Sequence, residues 1–113
     1  MSRREPQLLL EDIIKSIQKI KNYTNGMSAE EFFTDDKTLD AVIRNFEIIG
    51  EASNRVPDEI RDKFNDVNWH RIRGFRNRIV HDYMGIDYEI VWQIIVNDLV
   101  DLENQIQHIL DII

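Results

Sequence analysis

The sequence predicts an all-α fold, an antiparallel, up-and-down bundle of four to five helices. Apolar residues recur at spacings of three and four through most of the chain, and helix-capping residues precede the periodic runs. With only four glycines and two prolines, the chain lacks the tight turns that a β-sandwich or barrel needs. At 113 residues and 42% hydrophobic it can bury one real core and is too short for two ordinary ones, so residues 1–113 are read as a single domain.

From Pro6 to about Tyr23, Leu10, Ile13, Ile17 and Ile20 form one stripe while Glu11, Lys15 and Lys19 lie off it, the pattern of an amphipathic first helix. Asn25-Gly26 supplies the stop. Ser28-Ala29-Glu30-Glu31 has capping-box spacing for a short helix carrying Phe32 and Phe33. Asp35 or Asp36 caps the second long helix, which runs to about Arg55 with Leu39, Val42, Ile43, Phe46 and Ile49 as its apolar face. Gly50, Ala52 and Ser53 follow as a small-residue patch. Because an interior glycine costs about 1 kcal/mol against alanine, the patch is read as a point of close helix approach.

Val56-Pro57 breaks the second helix, and Pro57 suits the first position of a short helix ending near Phe64. Asn68 caps a third long helix over about Trp69 to His81 or Tyr83, burying Ile72, Phe75 and Ile79 and ending before Gly85. Asp87 caps the last helix. Its apolar positions Tyr88, Trp92, Ile95, Leu99, Leu102, Ile106, Ile109 and Ile113 step by fours and threes as an unbroken heptad stripe. Val91, Ile94, Leu110 and Ile112 widen that face, which fits either a homodimer or a wider core within one chain.

No window holds 18 consecutive apolar residues and no signal-peptide pattern opens the chain, so a cytoplasmic protein without membrane contact is expected. The absence of cysteine excludes disulfides and thiolate chemistry. His70, His81 and His108 are scattered without metal-ligand spacing, so neither a metal nor another cofactor is expected. The net charge of −7 would repel nucleic acid if it were spread evenly, but between Trp69 and Tyr83 Arg71, Arg73, Arg76 and Arg78 face only Asp82. That island carries +3 and leaves −10 for the rest of the chain. It either grips phosphate at one place or pairs with carboxylates of neighbouring helices.

Within eight residues, Arg76-Asn77-Arg78-Ile79-Val80-His81-Asp82-Tyr83 gathers guanidinium, amide, imidazole and phenol groups. Arginine holds phosphate bidentately and histidine moves a proton near neutral pH, which suits attack of a ribose 2′-hydroxyl on its own phosphodiester without a metal. On a regular helix Arg76 and His81 stand roughly 140° and about 7.5 Å apart, so they do not share a face. An unwound helix end near Gly85, together with a dimer cleft, would reconcile them. The alternative is that His81 and Tyr83 finish the helix, where a histidine interacts well with the dipole. His70 and His108 read as surface or boundary residues, and Trp69, Phe75 and Trp92 sit at core spacing.

This octapeptide resembles the Arg-x4-His-x-Tyr motif of the HepT-like toxins in the HEPN superfamily, matched by Arg76, His81 and Tyr83. Asn77 fits the polar position after the motif arginine, and Ile49-Gly50-Glu51-Ala52 resembles an upstream stretch of that family. The resemblance spans essentially the whole chain. It implies a HEPN-like, homodimeric helical domain acting as a metal-independent ribonuclease, the toxin of a toxin-antitoxin pair, with RNA as substrate. In it Arg76 would stabilise the phosphorane and His81 would act as general base or acid. Asn77, with Arg78 as a supporting cation, would orient the phosphate or the histidine. The implied partner is a minimal nucleotidyltransferase antitoxin of MNT type, which would silence the nuclease by AMPylation of Tyr83. Some superfamily members are non-catalytic modules, so the competing expectation is a helical adaptor that binds a nucleotide or a partner.

Overall fold

The computed structural model describes residues 5–74 and 85–113, and among these every regular element is helical. Helix α1 spans Pro6–Thr24, α2 Ala29–Thr34, α3 Asp36–Arg55 and α4 Asp58–Lys63. Residues 69–74 are helical and are called α5; α6 covers Tyr88–Asn97 and α7 Leu99–Ile112. This is the expected all-α bundle, divided among the described residues into seven helices where four to five were expected.

The longest helices, α1 and α3, form the principal packed pair. Leu10, Ile13, Ile17 and Ile20 of α1 are wholly buried, and Val42 and Ile49 of α3 are buried in the same core. Pro6 occupies the first turn of α1, where its missing N–H costs nothing. Gly26, with φ of 78°, turns the chain out of that helix in the left-handed conformation glycine tolerates best. The capping box forms as read: the Glu31 N–H donates to Ser28 Oγ at 3.1 Å and the Ser28 N–H donates to Glu31 Oε1 at 3.0 Å. Donation to the Glu31 carboxyl from the Ser28 backbone N–H first, and from the Ser28 hydroxyl second, holds it below the ordinary glutamate range. Asp35, rather than Asp36, caps α3 by accepting the Thr38 N–H at 3.1 Å.

Gly50, Ala52 and Ser53 are all buried. Buried hydroxyls bond back one turn, Ser53 Oγ to the Ile49 carbonyl and Thr24 Oγ1 to that of Ile20, and Asn45 Nδ2 donates to that of Ala41 while its Oδ1 is buried with no partner among the described residues. Pro57 sits at the N-cap of α4, one residue before the position expected for it. Phe64 and Val67, in the connection to α5, are buried in the core.

The last helix departs from the reading. The stripe expected to be unbroken is interrupted at Asp98, which separates α6 from α7. Val96, Asn97 and Asp98 are weak helix formers, and Asp98 places its carboxylate on Arg71 instead of capping α7. The interruption is a bend and not a reversal. The Asp98 N–H donates to the Ile94 carbonyl and the Leu102 N–H to that of Asp98, so the apolar phase carries through from Ile95 to Leu99, both buried.

The breadth of that apolar face is largely spent inside this chain. Val91 is fully buried, Ile94 and Leu110 pack against the core, and Trp92 stacks on Phe32 of α2 with centroids 5.1 Å apart. Ile90, Val96, Val100 and Ile112 remain about half exposed, as does Ile113, so the stripe leaves the core at its last position. Among the described residues no helix is long and apolar enough to cross a membrane.

Candidate functional site

The residues singled out for chemistry, Arg76, Asn77, Arg78, His81 and Tyr83, lie outside the described residues, as do Phe75 and Ile79. The expected continuation of α5 to His81 or Tyr83 lies there too. What the structure gives is the footing on either side of that stretch.

On the N-terminal side, Asn68 caps α5 by accepting the Arg71 N–H at 3.0 Å, in the role its sequence position suggested. Trp69 is buried, and its indole N–H donates to the Phe64 carbonyl at 3.1 Å, which fixes the first turn against the core and assigns this ring to packing. Ile72 packs on the same core. His70 points to solvent, and exposed His108 meets the edge of Phe64 at 6.3 Å, so both are boundary residues as read. On the C-terminal side, Ile86 packs against the core and the Asp87 carboxylate accepts the N–H groups of Glu89 and Ile90 at 3.0 and 3.4 Å.

The basic island divides in two. Arg71 donates to Asp98 at 3.2 Å, so for this residue pairing with a neighbouring helix is the observed outcome. Arg73 is exposed and makes no ion pair with the described residues. A second tie runs from Gln105 Nε2 to the Asp66 carbonyl at 3.1 Å. The start of α5 is thereby attached to the α6–α7 bend and to α7 by polar contacts whose partners lie 27 and 39 residues apart in sequence. Sequence reading offered the first as one of two alternatives without naming Asp98, and it missed the second.

Between these elements lies a cleft of about 240 Å³ whose floor includes Phe46, Ile49, Leu99 and Leu102. Among the described residues no three His, Cys, Asp or Glu side chains converge as a metal site would need.

A family model described as Ribonuclease HepT-like matches residues 13–109. The chain is 37% identical over its full length to "Putative RNase MJ0127" of Methanocaldococcus jannaschii, covering 91% of that protein. It is 32% identical to "Probable ribonuclease HepT" of Thermococcus cleftensis, over 93% of this chain and 96% of the other. No solved structure matches the chain.

Proposed function

The chain belongs to the HepT-like ribonuclease family, and from that premise we propose that it is a toxin-type, metal-independent endoribonuclease built on Arg76 and His81. The observation that carries the reading is the intact Arg-x4-His-x-Tyr pattern inside a chain that matches the family across most of its length.

In the proposed reaction His81 takes the proton of the ribose 2′-hydroxyl, and that oxygen attacks the adjacent phosphorus. The bond from phosphorus to the 5′-oxygen breaks, and that oxygen takes up a proton. A 2′,3′-cyclic phosphate and a 5′-hydroxyl result. Arg76 holds the phosphorane's negative charge, Asn77 orients the phosphate or the histidine, and Arg78 adds positive charge nearby. On a regular helix Arg76 and His81 face different ways, so the pocket is completed at a helix end within a cleft between two copies. The exposed Ile90, Val96 and Val100 are available to such a contact.

Tyr83 is the regulatory hydroxyl. A nucleotidyltransferase antitoxin transfers AMP to it from ATP with loss of pyrophosphate, which puts bulk and negative charge beside the guanidinium and imidazole and excludes the RNA phosphate. The test is to incubate the purified protein with ATP and a minimal nucleotidyltransferase encoded beside it, then follow intact mass and RNA cleavage together. Wild type gains adenylate and loses cleavage, while Tyr83→Phe gains none and still cleaves. A Tyr83→Phe protein that is silenced equally well refutes the regulatory assignment, and an unmodified wild type that cuts no RNA refutes the nuclease itself.

A further inference from the structure

The cleft between α3, the start of α5 and the α6–α7 bend is lined, among the described residues, by side chains that the proposed RNA chemistry does not use. Its floor is apolar: Phe46, Ile49 and Leu99 are buried, and Leu102 is partly so. Its mouth is acidic. Among the described residues, Asp66, Asp98 and Asp101 stand there with one cation, Arg71, which is occupied by Asp98. The carboxylates of Asp66 and Asp101 are exposed and make no hydrogen bond or ion pair with the described residues, which leaves two negative charges over an apolar hole.

This distribution selects among ligands. An RNA phosphate would meet repulsion at the mouth, and a wholly apolar molecule would leave the two carboxylates unused. A volume of 240 Å³ is below that of a drug-sized pocket and suits a fragment of one ring or a short chain. We propose that this cleft is a binding site for a small amphipathic organic cation, its apolar body on Phe46, Ile49, Leu99 and Leu102 and its ammonium at Asp66 and Asp101. The proposal is independent of the ribonuclease reading, since none of its residues belongs to the motif.

The test uses three isosteric probes, 4-phenylbutylamine, 4-phenylbutanol and 4-phenylbutyrate, titrated into the full chain while amide shifts of Leu99, Leu102 and Ile94 are followed by NMR. The amine binds about tenfold more tightly than the alcohol, as two partly exposed charge pairs allow, and the carboxylate binds most weakly. Asp66→Asn with Asp101→Asn removes the preference for the amine and leaves alcohol binding unchanged. Leu102→Phe, which fills the floor, weakens the amine and the alcohol alike. Equal binding of amine and alcohol, tighter binding of the carboxylate, or no shift at these amides with any probe, as when a second copy covers the mouth, overturns the proposal. RNA cleavage is measured on the same samples, so loss of the nuclease reading is recorded separately.

Discussion

Along α1, Leu10, Ile13, Ile17 and Ile20 are each at zero exposure, whereas the face made by α5 and the α6–α7 bend displays Arg71, Asp98, Asp101 and Gln105 around an open cleft. The first region is held by apolar burial between two long, regular helices. The second packs through Trp69, Ile95 and Leu99 and adds a cap and two polar ties around a helix interrupted at its centre. The difference teaches where the chain concentrates apolar burial and where it displays charge. The α1–α3 pair supplies a footing that needs no help from the site, and the polar face can carry charge and irregular backbone because it is not the main source of stability.

This contrast can be broken at several depths. The largest effect is expected from Ile17→Ala, which deletes a fully buried side chain and should cost about 2–5 kcal/mol, read as a lower urea midpoint. A cost below about 1 kcal/mol would mean that the helix pair is not the centre of stability. Asp35→Ala removes the cap of α3 and should cost about 1 kcal/mol by the same melt, with Asp35→Asn recovering most of it.

Across the polar face the numbers should be smaller. Arg71 and Asp98 are both substantially exposed, so a double-mutant cycle of Arg71→Ala and Asp98→Ala should give a coupling of about 0.2–1 kcal/mol that shrinks in added salt. A larger, salt-insensitive coupling would show that the bend is held by this pair. The smallest effect belongs to Glu31. Its folded carboxyl titrates below the unfolded one, so its contribution is present above the ordinary glutamate range and is lost as pH falls through the folded value. Glu31→Ala should therefore lower the melting temperature slightly at neutral pH and not at all in acid, measured by circular dichroism.

What could be read from sequence followed from local chemistry. Ser28 with Glu31, Asp35, Asn68 and Asp87 all cap helices where side-chain pattern placed them, because a cap is settled within four residues. The stripe of α1 was legible because every member is buried, in a helix that packs on α3 and α7. The bend at Asp98 was not, since its carboxylate is engaged by an arginine 27 residues away and the heptad spacing runs through the bend unchanged. The wide apolar face of the last helices was ambiguous for the same reason: Val91 belongs to the chain's own core, and spacing alone does not separate that from a surface for a second copy. Arg76 and His81 are read from residue chemistry and family pattern and lie outside the described residues.

The most direct measurement of the central claim sets wild type beside His81→Ala on total RNA, with a chelator present and Tyr83 verified as unmodified by mass spectrometry, and reads the 3′ ends of the products. The account predicts cleavage by wild type alone, ending in 2′,3′-cyclic phosphate, with the same helical content in both proteins. Equal cleavage by a clean His81→Ala preparation would contradict it, as would an active wild type that stops cutting when the chelator is added.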